Sequence, residues 1–154
     1  MKKNMFKLLI IICMLFLAVG CDKKVEHDEG DFKITLNSGY KKRISDTFKY
    51  YYQDSTNIIT VVREEIEDLG DIKITNESSA EEYLTEAMKV NNKEGNIINE
   101  KNYSYVEYES SNHYHVAAVF KSADSFWTIN FMCLKDDKNK HKDQFINYIK
   151  SIEV

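Results

Sequence analysis

Two apolar runs, Val116–Phe120 and Phe126–Leu134, constrain the fold more than any other feature of the chain. A strand with one wet face alternates apolar and polar residues; these runs hardly alternate, so both faces of each strand should be at least partly covered. Ser122-Ala123-Asp124 between them is short enough for an antiparallel hairpin. The runs thus predict two central strands, His113–Lys121 and Ser125–Leu134, with packed layers on both sides.

The remaining segments supply those layers. Phe32–Leu36 alternates as a strand does, and Asn37-Ser38-Gly39 signals a turn. Phe48–Gln53 and the β-branched Ile58–Arg63 read as a hairpin around Asp54–Asn57. Glu64–Leu69 suits a short helical turn ending at Gly70. Ser79 followed by Glu82 is a capping-box pattern, predicting a helix over Ala80–Asn91. Asn96–Glu100 and Tyr103–Glu109 add two strands. Phe145, Tyr148, Ile149 and Ile152 form one apolar stripe, predicting a closing helix over Asp137–Ile152. The sum is an α+β fold, an antiparallel β-sheet flanked by helices.

The N-terminal segment belongs to a different kind of structure. Lys2, Lys3 and Lys7 precede an apolar run from Leu8 to Val19, and small residues follow at Ala18-Val19-Gly20. This is the pattern of an export leader over residues 1–20; twelve apolar residues are too few to span a bilayer. Leu17-Ala18-Val19-Gly20-Cys21 resembles the lipobox of bacterial lipoproteins. The resemblance implies a diacylglyceryl group on the Cys21 thiol and cleavage just before it. Two acyl chains suffice for stable anchoring. The expected location is the extracytoplasmic face of the cell membrane, with no cofactor beyond the covalent lipid. Cys13 leaves with the leader, so Cys133 is left without an intrachain disulfide partner, and its apolar setting predicts a buried, inert thiol.

Without the leader, 18 basic and 25 acidic side chains give a net charge of −7. Nucleic-acid binders carry a basic footprint, so that class is excluded as a partner. Residues 21–31 read as the lipidated cysteine and a polar, solvated tether, and residues 32–154 as one domain. Negative charge on that domain is expected to hold it off anionic headgroups.

Several stretches together resemble the PsbP-like fold: Phe32-Lys33-Ile34-Thr35-Leu36-Asn37-Ser38-Gly39-Tyr40, the hairpin of Phe48–Arg63, Ser79-Ala80-Glu81-Glu82-Tyr83, Ser125-Phe126-Trp127-Thr128-Ile129-Asn130-Phe131, and the terminal helix. That fold is an α/β/α sandwich shared by the photosystem II extrinsic protein PsbP and a eukaryotic Ran-binding nuclear-import factor. Similar domains occur in small lipoproteins of Gram-positive bacteria. Its members are mainly non-enzymatic binding or assembly factors, so the resemblance implies a membrane-anchored, non-catalytic module whose partner is another envelope or secreted protein. No family functional residue maps onto this chain.

Candidate sites read from the residues themselves are few. His113 and His115 lie two apart on a predicted strand and project from one face, where with Glu109 they could hold a transition metal. This is the basis of an alternative role in metal or small-ligand binding. Glu64, Glu65, Glu67 and Asp68 are clustered but lack an EF-hand pattern, so a solvated face is expected. All ten tyrosines lie beyond the leader. Tyr50, Tyr51 and Tyr52 cannot share one face of a strand, nor can Tyr103, Tyr105 and Tyr108. Exposed aromatics mark recognition surfaces, which nominates Tyr50, Tyr52, Tyr103 and Tyr105 as a binding surface. No G-x-S-x-G elbow, phosphate-binding glycine loop or H-E-x-x-H motif is present, so no catalytic residue is assigned.

Overall fold

Apolar alternation, short turns and pairing with distant partners give nine strands and two α-helices among the described residues. The computed structural model describes residues 23–154, so the leader and Cys21 lie outside the described residues. In chain order the elements are β1 (Lys24–Asp28), β2 (Lys33–Asn37), β3 (Lys41–Arg43), β4 (Tyr50–Gln53), β5 (Ile58–Glu65), a 3₁₀ helix (Ile66–Ile72), α1 (Ala80–Val90), β6 (Ile97–Asn99), β7 (Tyr103–Ser110), β8 (His113–Lys121), β9 (Ser125–Leu134), a 3₁₀ turn (Lys135–Asp137) and α2 (Lys138–Ile149). Seven strands form one sheet in the order β3-β4-β5-β9-β8-β7-β6, and every neighbouring pair is antiparallel. β1 and β2 make a separate antiparallel hairpin. The two strands expected to be central, β8 and β9, are central, and Val116–Phe120 is buried throughout.

The alternation of side chains splits the core into two layers. On one face, Val116, Ala118, Ile129, Phe131 and Val61 pack against Phe145, Tyr148 and Ile149 of α2 and against Ile34 and Leu36 of β2. On the other, Val106, Ala117, Val119 and Phe126 pack against Tyr83, Leu84 and Met88 of α1 and Ile66 and Leu69 of the 3₁₀ helix. Each fully buried large side chain contributes roughly 2–3 kcal/mol. α1 starts where the capping box places it: Glu82 N donates to Ser79 Oγ at 3.1 Å, and Ser79 N donates to Glu82 Oε2 at 2.7 Å. Gly95 follows α1 in a tight approach to β7. An added Cβ there would meet Val106 Cγ2 and would sit 2.8 Å from the Glu107 carbonyl oxygen.

Two expectations need correction, and one further strand carries no sequence signal. The polar stretch read as a free tether instead contains β1, paired with β2 from Lys24↔Asn37 to Asp28↔Lys33. The strand turns at Gly30, in the left-handed region at φ 89°, with Gly30 N donating to the Asp28 carboxylate at 2.9 Å. Only Val25 is apolar in this strand, so periodicity could not reveal it; pairing and contacts to Tyr52 hold it instead. β3, Lys41-Lys42-Arg43, is wholly exposed and charged, as suits a sheet edge, and likewise lacks an apolar signal. Finally, α2 stops at Ile149 rather than Ile152. Ile152 is still buried, and a bridge between Glu153 and Lys33 ties the following residues to β2.

Candidate functional site

Register builds a row of rings across one face of the sheet. Tyr103 pairs with Phe120, Phe120 with Trp127, and Trp127 with Arg63. Tyr103 stacks on Phe120 at 5.0 Å, Phe32 from the β1–β2 hairpin stacks on Trp127 at 5.8 Å, and Tyr50 stacks on Phe32 at 5.6 Å. The Arg63 guanidinium and Lys49 ammonium lie over the Trp127 ring at 5.5 Å and 5.2 Å, within cation–π range.

The four nominated tyrosines divide between the two ends of this row. Tyr52 is 0% exposed, its ring edge-on to His27 at 4.9 Å and its hydroxyl donating to Glu29 Oε1 at 3.0 Å. Tyr50 is half-buried and donates to Asp31 Oδ1 at 2.6 Å. Both fasten the β1–β2 hairpin to the sheet, and burial followed by the Glu29 or Asp31 carboxylate raises both phenols well above their ordinary values.

Tyr103 and Tyr105 are the pair left partly open. They sit on the same face of β7, ring to ring at 6.3 Å, next to the sheet edge formed by β6. Beside Tyr103 runs a groove of about 590 Å³, floored by Phe120, Ile149 and Ile152 and flanked by Lys101 and Lys150. Neither lysine forms an ion pair among the described residues. The groove joins an apolar, aromatic floor to a rim on which Lys101, Lys121 and Lys150 outnumber the one acidic side chain, Glu153. Lys101 and Lys150 are 49 positions apart in the sequence; the packing of α2 across β8 and β9 brings them to one groove, so sequence alone could not have placed them.

The two histidines are held in the sheet by partners other than a third metal-ligating side chain. His113 and His115 share a face, with ring centroids 6.3 Å apart. His115 is buried and lies flat on Tyr108 at 4.6 Å; its Nε2 faces Ser110 Oγ at 3.2 Å and its Nδ1 faces Asn130 Oδ1 at 3.3 Å. Both ring nitrogens therefore already have polar partners. Glu109 pairs instead with Lys135 at 2.6 Å and Lys138 at 3.3 Å. Among the described residues, no group of three or more His, Cys, Asp or Glu side chains is placed to hold a metal ion. Burial, aided by the charges of His113 and Lys93 and opposed by Asn130, lowers the His115 pKa.

Cys133 is buried, and burial followed by Asp137 pushes its thiol up to about 11, which keeps it protonated at neutral pH. At the end of β5, Glu64 accepts a hydrogen bond from the Tyr83 hydroxyl and Glu65 pairs with Arg63 at 3.3 Å. Glu67 and Asp68 face solvent in the first turn of the 3₁₀ helix. Among the described residues, no helix is long and apolar enough to cross a membrane.

No protein-family model matches the chain, and none of the curated proteins does. Solved structures do. The chain is similar to cyanobacterial PsbP (CyanoP) from Synechocystis sp. PCC 6803, with a TM-score of 0.63 and 16% identity over 89% of this chain and 95% of that one. It is also similar to a protein of Bacteroides thetaiotaomicron, with a TM-score of 0.52 and 10% identity over 86% of this chain and 48% of that one. At such identities the likeness is one of architecture: a mostly antiparallel seven-stranded sheet between helical layers, the PsbP-like fold.

Proposed function

We propose that the protein is a lipid-anchored, extracytoplasmic, non-catalytic binding module that grips an envelope or secreted protein in the Tyr103–Tyr105 groove. The observation that carries this reading is the combination at that groove: half-buried Tyr103 in its wall with Tyr105 ring to ring beside it, an apolar floor, and the ammonium groups of Lys101 and Lys150 with no ion pair among the described residues. Aromatic rings supply contact area at low entropic cost, and unpaired lysines at the rim favour an acidic segment of the partner. The lipid rests on Cys21 within Leu17-Ala18-Val19-Gly20-Cys21.

A photo-crosslinking side chain in place of Asn102 tests the groove in intact cells. The expected result is one discrete adduct that disappears with Tyr103→Ala. Crosslinking that is unchanged by Tyr103→Ala removes the groove from the reading. Cys21→Ala tests the anchor: the variant should leave the membrane fraction, and continued attachment without acyl mass on the wild-type chain refutes lipidation.

A further inference from the structure

The geometry points to a second surface at the opposite end of the strands: we infer that Lys23, Lys24 and Lys41 form a docking face for anionic phospholipid headgroups. This inference rests on the proposed lipidation of Cys21. It starts from how soon the fold begins after that residue. Lys24 is already paired with Asn37, and the Lys23 carbonyl accepts a hydrogen bond from Ser38 N at 2.7 Å. Lys23 is two residues from Cys21, and two extended residues reach about 7 Å. A tether of ten residues would have reached about 35 Å. A lipid on Cys21 therefore holds this end of the domain at the bilayer surface, with little freedom to turn away.

The side chains gathered at that end suit the position. Lys23 and Lys24 are exposed, and Lys41 is exposed with its ammonium on the Ser38 carbonyl oxygen at 3.2 Å. All three surround the point where the chain enters the fold. Glu26 stands two residues along β1 from Lys24, and Asp54 lies beside the Ser38-Gly39 turn. The Asp54 carboxylate Oδ1 accepts from Thr56 N and Asn57 N, both at 2.7 Å, so it is held by its own turn. The net charge of −7 outside the leader thus hides a local basic face. Asp28 and Asp31 lie at the far turn of the β1–β2 hairpin, where they pair with Lys33 and Lys49, and the Glu29 carboxylate is taken up by Lys42. On this inference the end beside Cys21 departs from the expectation that negative charge keeps the body off the membrane. Each lysine near an anionic surface favours binding about fivefold, and salt screens the effect.

Amine labelling of the full-length chain in lipid vesicles tests this, read out lysine by lysine by mass spectrometry. The vesicles contain phosphatidylcholine with or without phosphatidylglycerol. On anionic vesicles, labelling of Lys23, Lys24 and Lys41 should fall several-fold relative to Lys101 and Lys150, and should recover in high salt. The variant Lys24→Glu/Lys41→Glu should lose the anionic-lipid dependence while keeping its acyl mass. An acylated chain whose lysines label uniformly overturns the docking face and leaves the lipid anchor standing. Intact mass without acyl groups on Cys21 overturns both. Protection that appears in native membranes but never on pure lipid assigns the face to a protein and overturns the inference.

Discussion

The division of the four tyrosines into structural and open pairs makes a testable contrast between Tyr52→Ala and Tyr103→Ala. Tyr52 is 0% exposed, packs against His27 and holds Glu29 through its hydroxyl. Truncating a fully buried aromatic ring leaves a cavity and costs about 3–5 kcal/mol. For a domain of this size, each kcal/mol moves the melting temperature by roughly 3–5 °C, so Tyr52→Ala should melt about 10–20 °C lower. Tyr103 is only partly buried, and its main loss is the stack on Phe120; the cost should be about 1–2 kcal/mol. Thermal unfolding followed by circular dichroism measures both variants, and crosslinking from position 102 measures capture. Tyr52→Ala should be much less stable yet keep capture below its melting temperature, while Tyr103→Ala should stay folded and lose it. A Tyr52→Ala variant as stable as the wild type and defective in capture would refute the assignment of the two roles.

Other perturbations follow from the same geometry. His115 and His27 both have pKa values lowered from 6.5, chiefly by burial. The unfolded chain then binds more protons, so the stability carried by their neutral forms is present above about pH 6.5 and is lost as pH falls from there through the lowered folded-state values. His115→Gln should flatten this slope in urea denaturation between neutral and mildly acidic pH; an unchanged slope refutes it. Gly95→Ala forces a methyl against Val106 and the Glu107 carbonyl, and should cost about 1–3 kcal/mol. Gly70→Ala, with nothing near the added carbon, is the matched control and should unfold at the wild-type denaturant concentration or above. Zinc titration by calorimetry should give no specific heat, because both ring nitrogens of His115 already have partners; a micromolar isotherm lost in His113→Ala/His115→Ala would restore the metal site.

How much of this was legible in the residues depended on what held each element. Strands stabilised by buried apolar faces announced themselves: β5, β8 and β9 were found within two residues of their observed ends. α1 was marked by its capping box, and α2 by the Phe145–Ile149 stripe. β1 and β3 were not legible, because a hairpin and a sheet edge can be made of charged residues whose stability lies in pairing with a distant partner. The same limit applied to the sites. That Tyr52 is buried and Tyr103 is not depends on the β1–β2 hairpin covering one end of the aromatic row. Strand alternation alone treats them alike. His113 and His115 share one face, but the His115 partners Tyr108, Ser110 and Asn130 come from two other strands, β7 and β9.

The two proposed surfaces also constrain each other. Lys41 pairs with Gln53, Gln53 with Ile58, Ile58 with Met132 and Met132 with His115, so the anchor end lies on the row of His115. Tyr103 pairs with Phe120. Along β8 these rows are five residues apart, about 16 Å at the usual rise. A domain seated on lipid through Lys23, Lys24 and Lys41 therefore raises the groove away from the headgroups and towards proteins in the extracytoplasmic space. Sites this far apart with no shared side chain should act additively. Lys24→Glu/Lys41→Glu should leave crosslinking from position 102 intact, and Tyr103→Ala should leave the lysine protection pattern intact. If either variant abolishes both signals, the two surfaces are one, and the division of labour between the ends of the sheet is wrong.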